Sequence, residues 1–596
     1  MTPQRPLRTW ILAASLMALA LAGCRTAPEP NKAKEAIAPE SSTGFVAREA
    51  VRSQKIMAAS ANPHATRAGQ EILREGGSAV DAAIAMNLVL TLVEPQSSGI
   101  GGGAFMLHRS AGGVIEGFDG REVAPAAATG DMFAAFADGG MEAFMKAVVG
   151  GLSVGVPGLL RMFELAHASH GKLPWARLFE PAIRLAEGGF EVSARLNALI
   201  AMDPFLAGLP ATRDYFFTPE GAPLAVGALR TNKPLADTLR LIAAEGADAF
   251  YTGPIAEDIV AAVQGAPVNP GRLTLEDMGT YAAKVRPPVC APYRAYKVCG
   301  MAPPTSGGVT SLQILGILQG FDLPAMDPDS PQVAHLLAEA ARLAYADRDK
   351  VLADPDFAQV PVQQLLDPAY LAARGALIKL DKTLGVVAPG DLPAGAWNTY
   401  GPDASPEMPS TSHMVAVDAE GNAVTMTSSI EGAFGSHLLV RGFLLNNELT
   451  DFSFLPEADG KPVANRVEPR KRPRSSMAPS FVLDASGGLK LALGSPGGGR
   501  IILYVTRTIL AVLDWEMDVQ QAISRPNIVN RNGDTELEAD VPGFEGWLKD
   551  NQLALEALGH KVVVRDLNSG IQAILVTPDG LVGGADPRRE GTVLGD

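Results

Sequence analysis

The chain has 596 residues and a formal net charge of -15, with 47% hydrophobic and 19% charged residues. This composition is typical of a globular protein with a large buried core. The acidic balance, with no basic stripe to offset it, argues against a nucleic-acid partner.

The N-terminus has the pattern of a secretory signal. Arg5 and Arg8 precede the apolar run Trp10–Ala22, which is too short to span a bilayer comfortably. The run ends in the sequence Leu21-Ala22-Gly23-Cys24, which resembles a bacterial lipobox. An ordinary secretory signal with a chance cysteine is the alternative interpretation.

The lipobox interpretation makes Cys24 the lipidated first residue of the mature protein. Residues 1–23 are then a signal peptide, and residues 24–44, rich in Pro, Ala, Lys and Glu, are a flexible lipidated tether. Arg25 in place of Asp after the cysteine favours the outer membrane. We therefore expect a bacterial periplasmic protein held to the membrane by its lipid.

Two helices are predicted to open the globular part. The first covers His64–Arg74 and stops at a Gly-Gly pair, and Ser78 opens the second, which runs to Val93. The glycine-rich segment Glu94–Phe105 formally fits a dinucleotide fingerprint, but a helix precedes it and a strand follows. No helix N-terminus would then face a phosphate, so we interpret the glycines as a tight backbone crossing. A second strand is predicted over Ile115–Glu122.

Helices dominate the next part of the chain, from about residue 132 to residue 281. A hairpin follows, and the turn Pro303–Gly308 leads into another helix. A separate amphipathic helix is predicted over Gln332–Ala346. The segment 380–410 carries five prolines and little periodicity, and so predicts a long loop. A loop of that length inside a compact globular protein is usually functional.

Cys290 and Cys299 flank that hairpin, one on each predicted strand. A disulfide between them is plausible in an oxidising periplasm, and two unpaired buried thiols are the alternative. Neither cysteine has a metal-binding residue nearby, and the pair His167 and His170 lacks a third ligand. The sequence therefore predicts no metal site.

Strands dominate after residue 410. A hairpin is predicted from Val415–Asp418 and Ala423–Thr427 around the turn Glu420-Gly421-Asn422. An apolar helix, Arg500–Leu513, interrupts the later strands. Further strands are predicted at 443–445, 480–483, 489–493, 562–564 and 573–576. Helices outside and strands inside, on both sides of residue 410, indicate one layered α/β unit.

Thr411 stands where the long loop meets the first strand of this second part. If the Ser410–Thr411 bond were cut, Thr411 would become a chain terminus that carries a nucleophile and its own base, the α-amine. The alternative is a plain Thr that opens a surface strand.

The chain resembles the γ-glutamyltransferase family of N-terminal nucleophile hydrolases from about Ile56 to Arg589. The ordered motifs that carry the resemblance are Glu94–Gly103, Arg121–Pro125, Thr411–His413, Leu444–Asn447, Lys471–Met477 and Gly494–Gly498. The resemblance implies an αββα sandwich that cuts itself into a large chain, residues 45–410, and a small chain, residues 411–596. The two chains would stay together as a heterodimer, without a cofactor.

Within this family, Thr411 matches the nucleophile that attacks the carbonyl of the residue before it, here Ser410. The same hydroxyl would then accept the γ-glutamyl group as an ester, and water or an amine acceptor would release it. Gly497 and Gly498 match the oxyanion hole, where consecutive N–H groups face one developing negative charge.

Family positions also imply how the glutamyl head group would be held. Arg121 matches the arginine on the α-carboxylate, because a guanidinium fork suits a carboxylate. Ser475 and Ser476 match hydroxyls that hold the same carboxylate. Glu448 and Asp451 match the groups on the α-ammonium.

The chain departs from well-studied members at Ser429, where they have the Thr that bonds the nucleophile, and at Glu431, where they have an Asn on the α-amino group. Glu431 adds a third carboxylate beside the other two. The segment 454–470 is shorter than the usual lid and has no Tyr. These departures predict a more open site that favours bulkier substrates.

Three functions are therefore weighed. The first is a hydrolase and transferase of γ-glutamyl amides such as glutathione. The second is an acylase of the same fold that acts on glutaryl or cephalosporin-type amides. The third is a binding lipoprotein without catalysis, which the intact Thr411, Gly497 and Gly498 disfavour.

Overall fold

The structure, a computed structural model, describes residues 44–596. The predicted signal peptide and Cys24 lie outside the described residues. Among the helices of the described part, none combines the length and hydrophobicity that a membrane span requires. The helices are α1 Pro63–Arg74, α2 Ala79–Val93, α3 Gly140–Val148, α4 Leu159–His170, α5 Glu180–Gly188, α6 Ala194–Met202, α7 Pro210–Phe216, α8 Lys233–Glu245, α9 Asp248–Tyr251, α10 Pro254–Gln264, α11 Leu275–Thr280, α12 Gly307–Leu318, α13 Pro331–Val351, α14 Val362–Leu365, α15 Pro368–Gly375, α16 Ile501–Leu513, α17 Val519–Ser524 and α18 Glu545–Ala557.

The strands are β1 Val51–Ser53, β2 Met57–Ser60, β3 Gly103–Arg109, β4 Ile115–Asp119, β5 Phe190–Glu191, β6 Leu229–Arg230, β7 Lys284–Arg286, β8 Val289–Tyr293, β9 Tyr296–Gly300, β10 Ser412–Val417, β11 Ala423–Ser429, β12 Leu439–Val440, β13 Phe443–Leu444, β14 Glu457–Ala458, β15 Lys461–Pro462, β16 Ser480–Leu483, β17 Leu489–Gly494, β18 Ile528–Asn530, β19 Thr535–Glu538, β20 Val562–Arg565, β21 Gln572–Thr577, β22 Gly580–Ala585 and β23 Thr592–Gly595.

Two seven-stranded sheets form the centre of the molecule. Sheet 1 has the order β23-β2-β10-β11-β3-β4-β7, and sheet 2 has the order β1-β22-β21-β17-β16-β9-β8. Their facing sides pack a layer of buried apolar side chains, such as Phe105 and Val415 from sheet 1 with Phe481 and Ile574 from sheet 2. Each sheet contains strands from both sides of residue 410, so neither half of the chain completes a sheet alone.

Helices cover the outer side of each sheet. Side chains of α1, α2, α4 and α5 share a core with β10 and β11 of sheet 1, and those of α12, α13 and α16 share a core with β16 and β17 of sheet 2. All residues of α2 are buried, and all but Asp81, Asn87 and Thr91 are apolar, as expected of a helix inside a core. The αββα architecture is therefore confirmed.

Local signals explain where the elements next to the site begin and turn. Ser78 caps α2 with a capping box, and the β10–β11 hairpin turns at Gly421, whose φ is +86°. Gly101 and Gly102 lie so close to other backbone that an added Cβ would come within 2.0 Å of the Leu444 carbonyl oxygen and 2.1 Å of the Ser429 carbonyl oxygen. The predicted tight crossing is confirmed.

Cys290 and Cys299 lie directly opposite each other on β8 and β9, and their sulfur atoms are joined as a disulfide. The predicted loop before Thr411 contains only one short 3-10 turn, Ala396–Thr399, within the described residues. The loop then leads into β10, which lies between β2 and β11 inside sheet 1.

Candidate active site

Thr411 lies at the junction of the loop and β10, and only 5% of its surface is exposed. Its φ is +100°, a conformation that β-branched residues strongly avoid. Strain of this kind costs about 1–3 kcal/mol. Because φ of Thr411 is the rotation next to the Ser410–Thr411 peptide bond, breaking that bond would release the strain.

The Thr411 hydroxyl is oriented by the end of the neighbouring strand. Its Oγ1 donates a hydrogen bond to Ser429 Oγ at 3.3 Å. Ser429 is the last residue of β11, and its Oγ accepts a hydrogen bond from the Glu431 N–H at 2.8 Å. The serine that replaces the expected Thr thus keeps the contact with Thr411.

The carbonyl of Ser410 also has a partner in place. The Gly497 N–H donates to the Ser410 carbonyl oxygen at 3.1 Å, and the Ser410 hydroxyl donates to the Gln96 carbonyl oxygen at 3.2 Å. Gly497 and Gly498 have φ values of +131° and +56°, which favour glycine. The sharp turn after β17 therefore aims a backbone donor at the carbonyl that precedes Thr411.

Thr411 opens onto a small pocket that is partly open to solvent. The pocket is lined by Arg121, Glu407, Met408, Thr411, Ser429, Glu431, Glu448, Asp451, Ser475, Ser476, Met477, Gly498 and Ile501. The structure thus gathers the predicted head-group residues around the predicted nucleophile, although they come from distant parts of the sequence. Gly497 and Ser410 are not among the lining residues, and their backbone atoms are joined by the hydrogen bond described above.

One side of the pocket is acidic and is centred on Arg121. The guanidinium is completely buried and forms ion pairs with Glu448 and Asp451. It also donates to the carbonyl oxygens of Pro473, at 3.1 Å, and Arg474, at 2.8 Å. Arg121 therefore already pairs with the acids that were predicted to hold the ammonium, and its role toward a substrate carboxylate stays a prediction.

The carboxyl groups on this side outnumber the single guanidinium. Burial raises the pKa of Glu448 to about 7, although Arg121 opposes the shift. Burial, together with the negative charges of Asp451 and Glu448, raises the pKa of Glu431 well above its usual range. Burial also raises the pKa of Asp451 despite Arg121. The acidic side is thus short of positive charge, and a cation that entered would stabilise the ionised carboxylates.

Beside the predicted Ser475 and Ser476, the pocket is lined by Glu407, which the sequence reasoning missed. Glu407 accepts a hydrogen bond from Ser476 Oγ at 2.9 Å and forms an ion pair with Arg348. Burial would raise the pKa of Glu407, but Arg348 and Arg474 outweigh it and lower the pKa to about 2. The only sequence signal for Glu407 was its position, four residues before Thr411. Arg348, which lies on α13, had no sequence signal.

His170 has different neighbours from those considered in the sequence. It stacks on His108 with ring centroids 3.8 Å apart, and its Nε2 lies 2.8 Å from Glu116 Oε2. These three side chains bring ligand atoms close together. However, the rings are only 27° from parallel, so their in-plane lone pairs cannot both point at one nearby ion. His167 bonds to a backbone carbonyl instead.

A second group, His335, Glu339 and His560, is fully buried. His335 Nε2 donates to the Lys379 carbonyl oxygen at 2.6 Å, and its Nδ1 lies 2.8 Å from His560 Nε2. His560 Nδ1 in turn lies 2.9 Å from Thr535 Oγ1. Two neutral imidazoles satisfy all these contacts, and burial lowers the pKa of His560 to about 4. The two histidines thus form a hydrogen-bond chain in which neither imidazole keeps a lone pair for a metal.

Comparison with known proteins identifies this arrangement. The sequence profile described as Gamma-glutamyltranspeptidase matches residues 65–596. The chain belongs to the gamma-glutamyltranspeptidase family. It is 38% identical over 556 residues to the glutathione hydrolase proenzyme of Escherichia coli (strain K12). The aligned region covers 90% of this chain and 91% of that protein.

Acylases of the same family are similar as well. The Acylase ACY 1 proenzyme of Pseudomonas sp. (strain SE83) is 36% identical over 549 residues, 89% of this chain and 92% of that protein. The crystal structure of cephalosporin acylase from Bacillus halodurans superposes with a TM-score of 0.79 at 28% identity, over 97% of this chain and 99% of that one. This protein is therefore an enzyme with the N-terminal nucleophile fold. The pocket at Thr411 is its candidate active site.

Proposed function

We propose that this enzyme hydrolyses and transfers the γ-glutamyl group of glutathione and other γ-glutamyl amides, after cutting itself between Ser410 and Thr411. The observation that carries the proposal is the Gly497 N–H on the Ser410 carbonyl oxygen, 3.1 Å away, beside a strained Thr411. An electrophilic carbonyl, a donor for its developing charge and a hydroxyl nucleophile thus meet at one peptide bond.

Self-cleavage begins when Thr411 Oγ1 attacks the Ser410 carbonyl carbon. Negative charge develops on the carbonyl oxygen, where Gly497 already donates. The bond from that carbon to the Thr411 nitrogen then breaks, and the nitrogen leaves as the α-amine with the proton from the hydroxyl. Water hydrolyses the resulting ester, which leaves a Ser410 carboxylate and a free Thr411 with both hydroxyl and α-amine.

Turnover repeats the same chemistry on a substrate. The α-amine of Thr411 accepts the hydroxyl proton as the oxygen attacks the γ-carbonyl, and the leaving amine takes that proton. Gly497 and Gly498 would face the developing oxyanion once Ser410 has left. Water or an acceptor amine then attacks the γ-glutamyl ester and restores the Thr411 hydroxyl.

The charges of the pocket support an amino-acid head group. Its acidic side, with Glu431, Glu448 and Asp451, is short of positive charge, and an α-ammonium would supply it. A glutaryl group has the same acyl chain without that ammonium. It would leave the buried carboxylates uncompensated, at a cost of roughly several kcal/mol.

A second candidate is an acylase for glutaryl or cephalosporin-type amides. It is favoured by Glu431, which stands where well-studied family members have Asn. It is also favoured by the similarity to proteins named acylase. Burial and the neighbouring Asp451 and Glu448 raise the pKa of Glu431, which favours its neutral form, and a neutral carboxyl tolerates a head group without an ammonium.

One assay separates the two candidates. Release of p-nitroaniline from γ-glutamyl-p-nitroanilide and from glutaryl-p-nitroanilide is measured on the purified wild-type enzyme. We expect the γ-glutamyl compound to have the higher kcat/KM. A higher value for the glutaryl compound would replace the proposed function with the acylase.

The proposed location follows from the N-terminus. The lipobox at Cys24 supports a lipoprotein of the periplasm, held to the membrane by its lipid, and the Cys290–Cys299 disulfide suits an oxidising compartment. The name proenzyme, carried by the Escherichia coli relative, supports maturation into a large and a small chain.

A further inference from the structure

Segment 96–98 is a short buried stretch, soon after the end of α2, that contacts the chain on both sides of the nucleophile. The main-chain carbonyl oxygen of Gln96 accepts the hydrogen bond from the Ser410 hydroxyl at 3.2 Å. Two residues further on, the Ser98 hydroxyl donates to Ser412 Oγ at 3.0 Å. One segment therefore contacts both residues that flank the nucleophile.

Segment 96–98 is itself firmly fixed. Its three residues are at most 1% exposed, and it follows a helix whose residues are all buried. The N–H groups of Ser97 and Ser98 both donate to the Glu94 carbonyl oxygen, at 2.9 and 3.3 Å. The Gln96 side chain donates to the Glu94 carboxylate at 2.6 Å. A segment that is packed and bonded in this way can serve as a rigid support for the residues that it contacts.

The contact with Ser98 lies where β10 has a strand partner on one side only. Ser412 pairs with Ser428 of β11, whereas the pairing between β10 and β2 begins only at Met414. Among the described strands, Ser412 thus lacks the second partner that residues 414–417 have. The hydroxyl of Ser98 supports the strand at this point.

Thr411 requires such support because its backbone is strained. A φ of +100° is strongly disfavoured for a β-branched residue, and a conformation of this kind persists only where the surrounding structure holds it. If the contact on either side were lost, φ of Thr411 could return toward the usual negative range. That rotation would change the orientation of its hydroxyl relative to the Ser410 carbonyl, which it has to attack.

We propose that Ser98 is a positioning residue for self-cleavage: its hydroxyl, bonded to Ser412, holds Thr411 in the strained conformation from which the chain is cut. The Gln96 carbonyl supports the other side through Ser410. Ser98 acts through Ser412 rather than on the reacting atoms. This inference rests on the self-cleavage in the proposed function, and it is independent of which amide the mature enzyme hydrolyses.

The role of Ser98 ends with the cut. The angle φ of Thr411 is defined by the Ser410 carbonyl carbon, so the strain disappears once the Ser410–Thr411 bond is broken. The mature Thr411 has a free α-amine in place of that bond. Loss of the Ser98 hydroxyl should therefore slow self-cleavage much more than it slows turnover by the mature enzyme.

The first experiment compares Ser98→Ala with Ser97→Ala. Both remove a buried hydroxyl, but the Ser97 hydroxyl has no hydrogen-bond partner among the described residues and is therefore the matched control. The uncut chain is followed by mass spectrometry after a pulse of synthesis. We expect Ser98→Ala to be cut about fivefold or more slowly than wild type, because one hydrogen bond is lost, and Ser97→Ala at the wild-type rate. Equal rates for the two variants would overturn the proposal.

The second experiment tests whether the bond between Ser98 and Ser412 carries the effect. Ser412→Ala and the double variant Ser98→Ala/Ser412→Ala are followed in the same way. Because each single variant breaks the same hydrogen bond, the double variant should be cut no more than about twofold more slowly than the slower single variant. Losses that multiply in the double variant would show that the two hydroxyls act separately, and would refute the proposed pair.

The mature enzyme separates positioning from general structural damage. After cleavage is complete, kcat and KM of Ser98→Ala are measured with the anilide that wild type prefers. We expect both to stay within about twofold of the wild-type values. A fall in kcat as large as the fall in the cleavage rate would indicate a structural role and refute the proposal.

The same measurements distinguish this inference from the proposed function. A wild-type chain that stayed uncut would refute the proposed self-cleavage and, with it, the role of Ser98. A wild-type preference for glutaryl over γ-glutamyl anilide would refute only the γ-glutamyl function, because the cleavage rates are measured without a substrate.

Discussion

Substituting Gly498 by Ala should stop most self-cleavage, because the added methyl group would strike the backbone just before the scissile bond. An added Cβ at Gly498 would lie 2.3 Å from the Met408 carbonyl oxygen and 2.8 Å from its carbon. Both are backbone atoms, so no side chain can rotate out of the way. The loop that leads to Thr411 has to move instead.

The size of the effect follows from that distance. A carbon and a carbonyl oxygen in contact are normally about 3.3 Å apart, so the Met408 carbonyl must shift by about 1 Å. A misplacement of about 1 Å at a reacting group can cost about a hundredfold in rate. We therefore expect self-cleavage of Gly498→Ala to be about a hundredfold slower than that of wild type.

The assay follows the uncut chain by gel electrophoresis and mass spectrometry after synthesis. Gly487→Ala is the matched control, because Gly487 also has a left-handed φ, +85°, but its added Cβ would meet no described atom within 4 Å. Both variants carry the backbone cost of Ala in this region, about 1–2 kcal/mol. Self-cleavage of Gly498→Ala at the rate of Gly487→Ala would refute the argument from Met408.

Four further predictions concern the nucleophile, the head group and the anchor. Thr411→Ala should remain one uncut, inactive chain in mass spectrometry, whereas Thr411→Ser should cut slowly; two chains from Thr411→Ala would exclude it as the nucleophile. Asp451→Asn should lower kcat/KM for γ-glutamyl anilide about a hundredfold, because it removes a charged partner of the ammonium. Self-cleavage should continue, because it involves no ammonium. Unchanged turnover would contradict the assignment of the acidic side as the ammonium site. Burial raises the pKa of Glu448 to about 7, so its ionised form, which attracts the ammonium, is lost as the pH falls below that value. The ratio of kcat/KM for γ-glutamyl over glutaryl anilide should therefore rise between about pH 6 and about pH 8 in wild type and stay flat in Glu448→Gln; equal profiles would rule out Glu448. Cys24→Ala should lose metabolic labelling with a fatty acid, and an unlabelled wild type would indicate a simple secretory signal.

The elements next to the site could be predicted from the sequence because their signals are local. A Ser cap before α2, the turn at Gly421 and the short apolar strands on both sides of it each act within a few residues. Thr411 was found in the same way, from its position between a proline-rich loop and a strand and from the motif around it. Neither inference requires knowledge of which distant segments meet.

The charges of the pocket could not be predicted in this way. Arg121 was assigned to a carboxylate by its motif, yet in the fold it pairs with Glu448 and Asp451. Glu407 and Arg348 carried no motif, and they meet because the loop before Thr411 passes over the end of α13. Which charges neutralise one another depends on distances between segments far apart in the chain, and only the packing of two sheets and their helices sets those distances.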